Sequence, residues 1–234
     1  MNRQAQAVIL LLFGGAILKA SVTDLYLRYV KEGLRPFLIA AGLLLVAAAV
    51  MTLWYEHRAA ASDHHDHHEP RVGWLLILPV LGLLLVTPPA LGSYAAGQAG
   101  TVLNRQDDAG SDYPALPPGD PAPVTLLDYA SRAVFDEGKS LTGRNIRLTG
   151  FVTPGADGQP ALARIVLTCC AADGRPIKVG LSGNTPAGVP ADTWVRVVGV
   201  YDAKVGKDPV NRATVPYLEV REWSEITPPK QPYE

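Results

Sequence analysis

The chain has 234 residues, 48% of them apolar and only 7% aromatic, with 21 basic against 22 acidic side chains. An apolar fraction this high excludes an intrinsically disordered chain, and a formal charge of −1 lacks the basic footprint that nucleic-acid phosphates require. The mean hydropathy of +0.12 hides a division, because the first hundred residues are hydrocarbon-like and the rest are not.

Three apolar runs, at about 7–22, 36–54 and 73–92, are predicted to cross a bilayer as helices, each needing roughly 20 mostly apolar residues. Lys19 interrupts the first run and leaves an uncharged stretch close in length to a signal-peptide core. Against cleavage stand the single charge before it, Arg3, and the Ser-Val-Thr-Asp that follows Ala20. A lysine near a helix end can snorkel to the interface. The expectation is therefore three uncleaved spans in a transmembrane region 1–97, in a multi-pass protein of the plasma membrane.

An odd number of spans puts the N-terminus and the C-terminal part on opposite faces, with the second loop, 55–72, on the N-terminal side. The first loop carries Lys19, Arg28, Lys31 and Arg35 against Arg58 and Arg71 in the second, which by the positive-inside rule draws the C-terminal part to the cytoplasm. The flank of the third span opposes this, since Arg105 alone precedes Asp107, Asp108, Asp112 and Asp120. The second signal is adopted, and the C-terminal domain is expected to be extracytoplasmic.

Loop 55–72 holds His57 and the pentapeptide His64-His65-Asp66-His67-His68, which together are all five histidines of the chain. Imidazole and carboxylate at this density suit a borderline divalent ion such as Zn²⁺. Adjacent histidines lack the spacing of a rigid site and make an adaptable chelate, better suited to capturing or sensing an ion than to catalysis. The bland alternative is a polar connector that keeps the loop soluble.

Residues 98–123 are rich in Gly, Asp and Pro and read as a linker. In the β domain that follows, 124–234, Thr125 is the predicted N-cap of a short helix carrying Leu126, Leu127, Tyr129, Ala130, Ala133 and Val134 on one face, with Gly138 or Gly143 near its end. From Asn145 the apolar period becomes two. Ile146, Leu148 and Val152 alternate, then Ala163, Ile165, Leu167 and Cys169, then Ile177, Val179 and Leu181, and two further strands cover 193–201 and 215–223. The fold class is α+β, with transmembrane helices followed by a five-stranded OB-like small barrel in which Gly150, Gly180 and Gly199 mark bends or bulges.

Cys169 and Cys170 adjoin at the end of the second strand. If the strand continues this far, Cys169 faces the core and Cys170 faces out, an arrangement unsuited to a mutual disulfide. Three readings stay open: a small core hydrophobe beside an incidental thiol, a soft metal site of Cys169, Cys170 and Asp173 that needs a further donor, or a redox thiol without Cys-x-x-Cys spacing.

No catalytic residue is expected. The chain has no Gly-rich phosphate loop, Ser-His-Asp set, nucleophile elbow or His-Glu-x-x-His, and its histidines all fall outside the β domain, so we read it as not an enzyme. From Thr101 to Glu234, 14 basic residues face 16 acidic ones, so the barrel has no nucleic-acid partner. Three spans without an embedded acidic or histidine residue are too few for an autonomous transporter.

The His/Asp-rich loop before the last span, the stretch Cys170-Ala-Ala-Asp173 in a C-terminal β domain, and the ending Glu222-Trp223-Ser-Glu-Ile-Thr-Pro-Pro-Lys-Gln-Pro-Tyr233 resemble the YcgQ-like permease subunits. The resemblance runs over the whole chain. It implies an integral membrane accessory subunit that works beside a larger multi-span permease in a two-component system linked to zinc supply. The histidine loop then captures or senses the ion, and the β domain docks on or gates the permease. The alternative is a membrane-tethered small-barrel interaction module with no metal role. Either reading predicts that the chain stays with membranes through alkaline carbonate extraction, and recovery in the soluble fraction would contradict both.

Overall fold

The computed structural model describes residues 3–59, 81–82, 88–103, 113–156 and 158–234. The chain divides into two units, Met1–Pro89 and Ala90–Glu234. In the first, helices α1 (Arg3–Val22) and α2 (Arg35–Ala59) pack against each other. Pro36 occupies the first turn of α2, where its missing N–H would have no helical partner. Two glycines set the crossing. A Cβ on Gly14 would lie 2.8 Å from Val46 Cγ2, and one on Gly42 would lie 2.8 Å from Leu18 Cγ, so only hydrogen lets the backbones approach this closely.

Between Pro36 and Trp54 helix α2 is apolar around its whole circumference, and Leu43, Leu44 and Trp54 are exposed. A helix without a polar face belongs in hydrocarbon or in a large core. Its hydroxyl at Thr52 donates to the Ala48 carbonyl at 2.8 Å and so leaves no bare donor. Among the described residues one helix, Glu32–Tyr55, is long and apolar enough to cross a membrane, and the apolar part of α1, Gln6–Val22, is shorter. Such a helix near the N-terminus fits a membrane span and a signal sequence alike. The predicted third span, 73–92, and the loop 55–72 fall largely outside the described residues. Helix α2 continues to Ala59, so His57 lies in its last turn rather than in the loop, beside Arg58, where basic side chains suit the dipole of the helix end.

The second unit comprises α3 (Ser93–Gln98), β1 (Ala122–Pro123), α4 (Leu126–Phe135), β2 (Ile146–Pro154), β3 (Pro160–Val166), β4 (Arg175–Gly183), β5 (Trp194–Lys207) and β6 (Thr214–Glu225). Strands β2 to β6 form a closed five-stranded barrel in the order β2-β3-β4-β6-β5, sealed by antiparallel pairing of β5 with β2. β4 and β6 run parallel, and β1 adds a parallel stub beside the start of β2. The fold is thus α+β. The β5–β6 ladder slips at Val198/Gly199, where a Cβ on Gly199 would strike the Glu219 carbonyl, so the expected bend is present there.

Helix α4 has the predicted start. The Thr125 side chain accepts the Asp128 N–H at 3.1 Å, and Leu126, Tyr129, Ala130 and Ala133 are buried in the main core with Leu148, Val179, Leu181 and Leu218. The Tyr129 hydroxyl donates to the Tyr217 carbonyl at 2.5 Å, and burial pushes its phenol far above the ordinary value. On β3 the predicted face is buried but not in the barrel. Leu162 points into the main core, whereas Ala163, Ile165 and Leu167 join Phe151, Trp194 and Ala96 in a second cluster on the opposite face of the strand.

That second layer consists of residues 90–103 and the last residues of the chain. The sequence assigns 90–97 to the membrane region and 98–103 to the linker, but their polar groups are satisfied by the barrel. Asp192, held at φ 70°, accepts Ser93 N–H and Ser93 Oγ, and the Leu91 N–H donates to Tyr233 Oη at 2.9 Å. Lys178 Nζ pairs with Asp208 at 2.8 Å in a fully buried bridge and also donates to the Ala99 carbonyl at 3.2 Å, while Asp208 accepts Thr101 N–H at 3.1 Å. The Pro-rich stretch is also tied down, by Arg132, which donates to the Pro114 carbonyl at 2.9 Å and stacks over Tyr113.

Burial pushes the Asp208 carboxyl up, but hydrogen bonds from Lys178, Val210 N–H and Thr101 N–H outweigh it and hold the group below its ordinary value. A depressed folded value stabilises the fold above the unfolded carboxyl range, about pH 4, and that stabilisation is lost as pH falls through the folded value. A fragment 90–234 is expected to fold alone as a β protein. In it Lys178→Ala, which strands a buried carboxylate, should cost about 3–5 kcal/mol in urea unfolding at pH 7. A loss below about 1 kcal/mol, the range of an exposed pair, would show that the bridge does not hold the segment.

Candidate metal centre

Strand β3 ends at Val166, three residues before Cys169, so the thiol that the period-two pattern points inward is in fact exposed. The chain leaves the sheet because Leu167 N–H is taken by the Glu234 carbonyl at 2.9 Å, and Thr168 to Gly174 then form a tight loop. A single 3₁₀ turn, Ala171–Asp173, organises it. Asp173 occupies the third position of that turn, where a carboxylate can reach back to uncapped N–H groups. It accepts three consecutive ones: Thr168 at 2.9 Å, Cys169 at 2.8 Å and Cys170 at 3.3 Å. Gly174 closes the loop against Leu91 and Ile165, where a Cβ would lie 2.9 and 3.0 Å away.

This folding brings Cys169, Cys170 and Asp173 together. Their ligand atoms all lie within 4.8 Å of one another, and the two Sγ atoms are 3.6 Å apart as free thiols. Cys169 is exposed, while Cys170 and Asp173 are half-buried. The Cys169 thiol donates to Cys170 Sγ and sits beside the Asp173 carboxylate; the carboxylate first and the second thiol next push its pKa up to about 11, while the neighbouring thiol and the backbone N–H groups hold Asp173 down at about 2. At neutral pH Cys169 is thus a protonated thiol beside an ionised carboxylate. Two thiols and a carboxylate are a donor set for a soft or borderline cation, which would have to displace the Cys169 proton. Of the histidines, His57 is placed on α2 and exposed, and His64, His65, Asp66, His67 and His68 lie outside the described residues.

Two charged groupings escape a sequence reading. Arg164, deep in the second layer, donates to the carbonyls of Gln231 and Tyr233, stacks over Trp194 at 4.9 Å, and faces Glu234 at 3.6 Å. Glu234 in turn accepts the N–H groups of Leu126 and Leu127 at 3.1 Å, capping α4 from a residue more than a hundred positions away. Burial moves both toward neutrality, raising the Glu234 carboxyl and lowering the Arg164 guanidinium. These are clamps, as is the Lys178–Asp208 bridge, and no local pattern announces them.

The fold and these donors define a protein with apolar N-terminal helices and a small closed β-barrel domain that carries an exposed thiol and carboxylate cluster. Residues 131–234, which include the whole barrel and the cluster, match the DUF1980 C-terminal domain family, an uncharacterised family compatible with the YcgQ-like resemblance. No curated protein and no solved structure matches the chain.

The Asp173 carboxylate beside the Cys169 thiol makes a measurable prediction. With Cys170 left in place, alkylation of Cys169, located by fragmentation of the labelled peptide, should rise with pH toward a midpoint in the region of 11, and Asp173→Ala should bring that midpoint down toward the ordinary thiol value of about 8.5. Mass spectrometry of the labelled peptide across pH reads this directly, and coincident profiles would show that the carboxylate does not hold the proton.

Proposed function

We propose that this chain is an integral membrane accessory subunit of a two-component permease for zinc or another divalent transition metal. Its histidine loop captures or senses the ion, and its β domain, which we read as OB-like, docks on or gates a larger multi-span partner. The observation that carries this reading is the convergence of Cys169, Cys170 and Asp173 on one exposed loop, a second concentration of metal donors in a chain that already crowds four histidines into His64–His68. Two such concentrations within one chain, behind a helix with the length and apolarity of a span, fit the handling of an ion at a membrane better than a barrel that binds nothing metallic.

The reading keeps the ion as cargo. Zn²⁺ in this scheme is collected and passed on, and the group of Cys169, Cys170 and Asp173 offers at most three of the four ligands of a closed structural site. Purified full-length protein in detergent should bind Zn²⁺, and replacing His64, His65, His67 and His68 together by Ala should lower both stoichiometry and affinity. Unchanged binding in that variant would remove the histidine loop from the scheme.

A further inference from the structure

We propose that Cys169 and Cys170 form a two-sulfur chelate for one tetrahedral, thiophilic divalent ion of the zinc class, with Asp173 positioning the loop rather than ligating and two coordination positions left open for exchange. The proposal deepens the function proposed above and rests on it only for the biological cargo.

The sulfur separation selects the ion. With zinc–sulfur bonds of about 2.3 Å and a tetrahedral angle, two thiolates on one ion sit roughly 3.8 Å apart. Cys169 Sγ and Cys170 Sγ already lie 3.6 Å apart. A linear two-coordinate ion with similar bonds would need sulfurs about 4.6 Å apart, which this loop does not present. Neighbouring side chains on an extended strand point to opposite faces. These two converge because β3 has ended and the carboxylate of Asp173 gathers the three N–H groups of Thr168, Cys169 and Cys170 to one side.

The same bonds argue against Asp173 as a ligand. Its Oδ1 accepts from Thr168, and its Oδ2 accepts from both cysteines, so coordination would mean releasing the bonds that bring the sulfurs together. Among the described residues no histidine or further cysteine, aspartate or glutamate joins the group. Closed structural zinc sites use four protein ligands, whereas sites that exchange keep positions open. With Cys169 exposed to solvent, the open positions are filled by water or by a donor from another molecule, as a hand-over site requires.

The test uses the full-length chain in detergent with His57, His64, His65, His67 and His68 all replaced by Ala, kept reduced by a phosphine, and titrated with Co²⁺ as the spectroscopic stand-in for Zn²⁺. One Co²⁺ per chain should bind, with the sulfur-to-cobalt charge-transfer intensity of two thiolates, and Zn²⁺ should displace it. Cys169→Ser and Cys170→Ser, both at accessible positions, should each halve that intensity per bound ion without lowering the melting temperature. Asp173→Ala should weaken binding about 10–100-fold, as loss of a supporting hydrogen-bond partner does, with the intensity per ion unchanged. Asp173→Asn, which keeps a carbonyl oxygen for the cysteine N–H groups, should recover most of the affinity. Absence of Co²⁺ binding in the histidine-free chain would overturn the chelate and leave the histidine-loop reading standing. An Asp173→Asn loss as large as that of Asp173→Ala would make the carboxylate a ligand and overturn its positioning role.

Discussion

Closure of the sheet is the constraint on which the rest of the β domain depends. β2 pairs with β5 from Ile146↔Gly199 to Phe151↔Trp194, and this ladder turns an open five-stranded sheet into a closed barrel. A strand edge left open would present unpaired backbone groups to solvent or to another chain. Closure also separates two apolar compartments on either side of the barrel wall, and both are used. Leu162 and Val179 fill the interior, and Ala163, Ile165, Phe151 and Trp194 face the second layer.

The second layer explains why so many charged groups are buried in a domain of modest size. Together with the exposed Asp192, they answer backbone groups at the start of a helix or in a segment that has no regular partner of its own. Lys178 and Asp208 take up the carbonyl of Ala99 and the N–H of Thr101, Asp192 takes up Ser93, and Glu234 takes up the first turn of α4. A buried ion pair is a poor source of stability compared with a well-packed apolar pair, but removing one partner is costly, which is how such pairs impose one arrangement on the segments they touch. The left-handed backbone at Asp192 belongs to the same device, since its carboxylate meets Ser93 from that position.

The thiol loop inherits its geometry from both. The outgoing end of β3 is held by Glu234, and the incoming end at Gly174 is packed on Leu91 and Ile165, so the loop spans two anchored points. Within it a single carboxylate does two things at once: it satisfies three N–H groups and its charge raises the pKa of the thiol beside it. A thiol pushed above its ordinary value in this way differs from the low-pKa thiols of redox motifs.

The division between what was legible in the sequence and what was not follows the range of the interactions. Helix α4 with its Thr125 cap, the five strands and the apolar character of α1 and α2 were readable, because capping, period and hydropathy act between residues a few positions apart. The coexistence of Cys169, Cys170 and Asp173 in one loop was readable for the same reason. The end of β3 was not, since it depends on the Glu234 carbonyl, and the period that carried Cys169 into the core therefore failed at the point where a distant partner intervened. Residues 90–103 read as span end and tether because nothing local binds a Gly and Ala segment, while the groups that hold it lie on β4, β5 and the loops around Asp192 and Asp208. Alternation on β3 showed that Ala163 and Ile165 are buried, but a strand covered on both faces carries no mark of which face meets the interior, and only closure of the barrel decided that.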